Sequence, residues 1–126
     1  MIHNTIRSFT DLNTWKEGHL LALTIYKMTK LFPSNENFGL TNQIQRAAVS
    51  ITSNIAEGFY RHSNKEKIQF YYISLGSLTE VQNQLLISRD LGYIDPSLFN
   101  EIAAKTVIIS KLLNGLIKSV KKKHNT

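Results

Sequence analysis

The chain has 126 residues and carries 15 Lys and Arg against 9 Asp and Glu, a formal net charge of +6. That length argues for one domain spanning 1–126, large enough to bury a core without staples. The absence of Cys excludes a disulfide framework and thiolate chemistry, no stretch offers the ~18 uncharged apolar residues of a membrane span, and the opening residues lack a signal-like apolar run. A soluble, cytoplasmic protein with no membrane contact is therefore expected.

Residues 1–10 read as a tail or docking strap. Asp11 or Asn13 can cap a first helix through about Leu31, with Leu12, Trp15, His19, Ala22, Tyr26 and Thr29 on one face and Leu23 and Ile25 widening it. Phe32-Pro33 stops it, because a residue before Pro avoids the helical region.

The second helix organises the chain. Leu40, Ile44, Ala47, Ala48, Ile51 and Ile55 recur at the spacing of one helical face. Beside them Gln43, Arg46, Ser50, Asn54, Glu57 and Arg61 form a polar stripe, which predicts a half-buried hydrogen-bonded network. The helix ends near Gly58 to His62.

Ser63 with Glu66 has the spacing of a capping box and opens a third helix to about Asp90. Its seam is Ile68, Tyr71, Leu75, Leu78, Gln82, Leu85 and Arg89, a strict seven-residue repeat. Gly92 is a left-handed C-cap candidate. Asp95-Pro96 opens a fourth helix as N-cap and first-turn Pro, whose core face is Leu98, Ile102, Ile109, Leu112, Leu113, Leu116 and Val120. Residues 121–126 read as a basic C-terminal tail. Long helices with short connections predict an all-α, antiparallel up-down-up-down four-helix bundle.

Phe70-Tyr71-Tyr72-Ile73 on the third helix, and Phe99, Val107, Ile108 and Ile117 on the fourth, add apolar surface outside the main stripes. Such breadth is expected of helices covered on both sides, which points to self-association; a thick core with a few exposed apolar residues fits the same pattern. In an up-down-up-down bundle one end collects Arg7, Arg61, Lys65, Lys67, Lys118, Lys121, Lys122 and Lys123. Against Asp11, Glu57 and Glu66 that end holds about +5 of the net charge, a candidate phosphate-contacting rim. His62 and His124 add charge there below neutral pH. A rim of solvated lysines that only complements the helix dipole fits the same residues. Tyr60 and Phe59, beside it, stack on bases or simply pack.

Metal-bundle signatures such as His-x-x-x-His or Glu-x-x-His are missing, as is a Gly-rich phosphate loop. His19 reads as a satisfied core histidine. Ser50 and Ser53 have no His or Lys base at helical spacing. A non-enzyme without metal or cofactor is expected.

Phe9-x-Asp11-Leu12-x-x-Trp15 and Phe32-Pro33-x-x-Glu36-x-Phe38-Gly39-Leu40 resemble the opening of a known family. Gln43-Ile44-x-Arg46-Ala47-Ala48-Val49-Ser50-Ile51-x-Ser53-Asn54-Ile55-Ala56-Glu57-Gly58 resembles its signature. Leu75-Gly76-Ser77-x-x-Glu80 and Leu91-Gly92-Tyr93-Ile94 follow in register. The family is that of the 23S rRNA-intervening sequence proteins, often labelled ribosomal-protein-like, and the likeness covers about residues 9–115. It implies an antiparallel bundle similar to subunits of ring-shaped homopentamers. It also implies similarity to the accessory variability protein of diversity-generating retroelements, whose basic barrel is held to contact nucleic acid and a reverse transcriptase. Family genes inside insertions of large-subunit ribosomal RNA genes suggest an RNA connection. Many members have Pro where this chain has Thr52, so a straighter second helix is expected here.

On this reading the signature residues are structural. In a hairpin about residues 62–63, Arg46 falls within a turn of Glu80, which predicts a partly buried ion pair that sets register or partner. Ser50 and Asn54 satisfy neighbouring polar groups, Glu57 pairs with Arg61, and Gly76 and Ser77 permit close helix approach. Alternatively the polar line faces a central channel and binds a ligand or RNA. Two functions follow: a homo-oligomeric, RNA-associated accessory protein, or an interaction module that docks a larger partner such as a reverse transcriptase without touching RNA.

Overall fold

Local punctuation sets the helix ends seen in the computed structural model, which describes residues 5–124. Ser8 opens a capping box around a 3-10 turn at Phe9–Asp11. The Asp11 carboxylate accepts from the Arg7 and Ser8 backbone N–H groups at 3.0 and 3.1 Å. Those two bonds hold its pKa below the usual carboxylate value. The Phe9 ring meets Trp15 and Tyr60 edge-on, at 5.4 and 6.1 Å. Phe9 thus rests on the bundle, while residues 1–4 and 125–126 lie outside the described part.

Helix α1 spans Asn13–Met28, α2 Leu40–Phe59, α3 Asn64–Asp90 and α4 Pro96–His124. α1 packs against α2 and α4, and α3 packs against the same two. The result is an all-α, antiparallel up-down-up-down bundle with short loops. α1 stops earlier than expected, with Thr29–Leu31 forming a 3-10 turn before Phe32 becomes extended ahead of Pro33. Ser63 Oγ accepts from the Glu66 N–H at 3.1 Å, although the return bond from Glu66 is not made. Gly92 has a positive φ of 79°, and Asp95 Oδ1 caps α4 through the Leu98 N–H at 2.7 Å. α4 continues through His124, so Lys121, Lys122 and Lys123 lie on a helix and not in a tail.

The apolar stripe of α2 is the one expected: Leu40, Ile44, Ala47, Ala48, Ile51 and Ile55 are all buried. On α1 the stripe is rotated. Thr14, Gly18, Leu21, Ala22, Ile25 and Met28 face inward, whereas His19 and Tyr26 are exposed. Leu21, Ile25 and Met28 put more aliphatic surface into the core than the aromatic and imidazole edges would. Gly18 brings α1 close, since a Cβ there would lie 3.0 Å from Thr52 Cγ2. His19, expected in the core, instead stacks on Trp15 with ring centroids 4.7 Å apart.

On α3 the heptad splits. Tyr71, Leu78 and Leu85 are buried, while Ile68, Leu75, Gln82 and Arg89 are half-buried. The space beside them is taken by buried Ser74, Ser77, Val81 and Ser88. Small side chains let α2 approach, and Ser74 Oγ donates to the Ile51 carbonyl at 2.8 Å. Gly76 does not share this role, because a Cβ there would meet nothing within 4 Å. On α4, Ile117 belongs to the buried row with Ile102, Ile109 and Leu113, and not outside it as its sequence position suggested.

Candidate nucleic-acid interface

The bundle end formed by the start of α1, the α2–α3 loop and the end of α4 carries all eight predicted cations. They do not form one equivalent set. Arg61 pairs with Glu57 at 3.0 Å, as expected, and its guanidinium lies over the Phe70 ring at 4.6 Å. Lys121 donates to the Tyr72 hydroxyl at 2.9 Å and lies over that ring. Lys67 turns inward, donating to the Gly58 and Phe59 carbonyls. There it caps the C-terminus of α2, where the helix dipole favours a cation. The side chains of Arg7, Lys65, Lys118 and Lys122 are exposed and make no ion pair among the described residues. Tyr60 is exposed and packs edge-on against Phe59, 4.9 Å between centroids. His62 is exposed in the α2–α3 loop, and the side chain of His124 lies outside the described residues.

Sequence reasoning missed a cleft at this end. It has a volume of about 240 Å³ and is lined by Lys67, Lys123, Tyr71, Asn64 and Ser119 over an apolar base that includes Leu116. Burial, and then the charge of Lys123, push the Lys67 pKa down. The signal was the spacing of Asn64, Lys67 and Tyr71 on one α3 face, but without the end of α4 in place it did not mark a pocket.

Burial raises the Tyr71 phenol pKa to about 12 from its ordinary value of 10.0. Its folded-state value exceeds its unfolded one, so this contribution to stability is complete below pH 10 and is lost as pH rises towards 12. Phenolate absorbance of the wild type minus that of Tyr71→Phe should show one phenol ionising late, together with loss of helical circular dichroism. Early ionisation with the fold intact would contradict its burial.

The polar stripe of α2 divides into two parts. Asn54 Nδ2 donates to the Ser50 carbonyl and hydroxyl at 2.8 and 3.0 Å. Ser77 Oγ donates to Ser50 Oγ at 2.8 Å. This chain links α2 to α3 as the network reading expected, with Ser77 as its α3 member. Gln43, Arg46 and Glu80 do not join it, and Glu57 is engaged with Arg61. The expected Arg46–Glu80 ion pair is absent: among the described residues the ion pairs are Arg61–Glu57 and Arg89–Asp90. Both Arg46 and Glu80 are exposed, and water competes well for exposed charges. They instead line an open groove of about 550 Å³ with Asn42, Gln43, Ser50 and Gln84. Gln84 Oε1 is buried there without a donor.

Among the described residues, no group of three or more His, Cys, Asp or Glu is placed to hold a metal ion. Among the same residues no helix is long and apolar enough to cross a membrane. Fold and site together define a four-helix bundle with one cationic end and a polar seam between α2 and α3.

The chain belongs to the 23S rRNA-intervening sequence protein family, whose model matches residues 10–115. It is similar to a solved protein of unknown function from the S23 ribosomal protein family of Bacteroides thetaiotaomicron. That likeness has a TM-score of 0.77 and 25% identity, over 83% of this chain and 95% of the other. No curated protein matches the chain.

Proposed function

We propose that this protein is a non-catalytic, cytoplasmic homo-oligomer, pentameric like the rings its sequence resembles, that associates with RNA through clustered basic ends. The observation that carries the reading is the cluster of exposed Arg7, Lys65, Lys118 and Lys122 at one end of the bundle, none of them in an ion pair among the described residues. Lys65, Lys118 and Lys122 stand on helices, so their backbone positions are set before any phosphate arrives. Contacts of this kind are to the nucleic-acid backbone and read no sequence. Assembly multiplies them, because several ends acting on one RNA raise avidity without new chemistry.

A mobility-shift titration with structured RNA at several salt concentrations tests this. Binding at ~50 mM salt with a steep negative salt slope is expected. Replacing Lys65, Lys118 and Lys122 by Glu should abolish the shift while leaving the helical circular dichroism unchanged. No binding by the wild type at ~50 mM salt would remove the RNA reading.

A second reading rests on the exposed Leu20, Leu23, Leu86, Val107 and Ile108. These fit a module that docks a larger protein, such as a reverse transcriptase, by its apolar faces. The charge-reversed variant separates the two, since partner capture would then survive.

A further inference from the structure

Phe38 is 98% exposed, although the loop that carries it is well fixed. The Gly39 N–H bonds the Glu36 carbonyl at 2.9 Å. Glu36 Oε1 accepts from the Leu40 N–H at 3.2 Å, and Glu36 Oε2 accepts from the Tyr93 hydroxyl at 2.8 Å. Phe32 packs on the Tyr93 ring at 5.2 Å. The phenyl ring is thus held out in water by a loop tied to both the start of α2 and the α3–α4 turn. With the loop backbone already ordered, binding would remove only the ring's own side-chain torsions while burying its whole apolar surface, which makes it a good anchor.

The same chain has an apolar notch of about 190 Å³ on the outer seam of α3 and α4. Leu86, Phe99, Ala103 and Val107 line it, with buried Leu85 at its base. The Arg89 guanidinium lies over the Phe99 ring at 4.6 Å. Knob and notch share one end of the bundle, because the Tyr93–Glu36 bond ties the two loops together. They lie on opposite edges: Phe38 leads into α2 from the α1 side, and the notch is built only from α3 and α4. Phe38 therefore stays out of its own notch, as its exposure shows.

We infer that Phe38 of one copy seats in the α3–α4 notch of the next copy. This rests on the self-association in the proposed function and names its contact. A knob on one edge and a socket on the other make a head-to-tail interface, which generates a ring when the rotation closes and a filament when it does not. The notch centre lies about 10 Å further along the bundle than Phe38, counted at the rise of a helix. A ring takes up that offset as subunit tilt. Copies joined in this way point the same end in the same direction, which gathers the lysine ends on one face.

Because the chain has no Cys, cross-linking is clean. Asn37→Cys beside the knob and Asn83→Cys beside the notch change exposed polar residues and leave both partners intact. With a short bis-maleimide, a mixture of the two single variants should give cross-linked dimers, and the double variant a ladder that ends at the ring size. Phe38→Ser should raise the concentration for half-assembly by at least about tenfold. A wild type that scatters light as a monomer at micromolar concentration overturns both the assembly and this contact. A wild type that assembles, with no mixed cross-link and an undisturbed Phe38→Ser assembly, overturns the contact alone and leaves the knob for a different protein.

Discussion

Ile51→Ala should lower the unfolding free energy by about 3–5 kcal/mol, near the top of the range for a large-to-small core change. Ile51 is fully buried at the middle of α2. Its Cγ2 lies 3.5 Å from where a Gly18 Cβ would stand, and its carbonyl accepts the Ser74 hydroxyl. The residue therefore sits where α1, α2 and α3 are all close. Neighbours cannot collapse into the cavity, because small residues already fix those helix approaches. A domain of this size is stable by only about 5–15 kcal/mol, so the variant should melt many degrees earlier in a thermal scan. A loss under 1 kcal/mol would mean the three helices repack around the hole, which their spacing does not allow.

The fold was readable because its signals are local. Pro33, the Ser63 hydroxyl, Gly92 and Asp95-Pro96 each mark an end by their own backbone chemistry, although α1 gives way to a 3-10 turn three residues before Phe32. The α2 stripe was readable because its apolar residues are unambiguous and its neighbours polar. α1 was misread in part, because His19 and Tyr26 also repeat at helical spacing beside the residues that do pack inward. Periodicity alone does not distinguish a core face from an aromatic shoulder. The heptad on α3 does mark its inward side, with Tyr71, Leu78 and Leu85 buried and Ile68 and Leu75 packed partly buried on the core, but it passes over the serines between them. Serines at 74, 77 and 88 look like surface residues, yet they are what two closely packed backbones require.

The site was readable only as a list of charges. Sequence placed all eight cations at one end, but their division into a cap (Lys67), a paired surface group (Arg61) and exposed ends (Lys65, Lys118, Lys122) depends on α2, α3 and α4 meeting there. The Arg46–Glu80 expectation failed on energetics and not on register. Both residues reach the same groove, but exposed charges gain little by pairing.

Gly58 and Gly76 should respond to Ala with opposite sign. In a free helix either change is favourable by about 0.5–1 kcal/mol, since Gly is the poorer helix former. At Gly76 nothing lies within 4 Å of the new methyl, so Gly76→Ala should raise stability by about that amount, and Gly115→Ala, equally open, should do the same. At Gly58 the methyl would fall 2.8 Å from Tyr71 Cε1 and 3.0 Å from Phe70 Cβ. Neither is the far end of a flexible chain: Tyr71 is buried among core residues, and a Cβ moves only with its helix. α3 must then shift away from α2, a cost of about 1–3 kcal/mol that exceeds the propensity gain. Such a shift also disturbs the Lys67 cap on the Gly58 and Phe59 carbonyls and widens the cleft beside Lys123. Gly58→Ala should therefore be destabilised in chemical denaturation, with weakened RNA binding, while Gly76→Ala is more stable. If Gly58→Ala proved as stable as Gly76→Ala, the close crossing of α2 and α3 at this end would be wrong, and with it the preformed cleft.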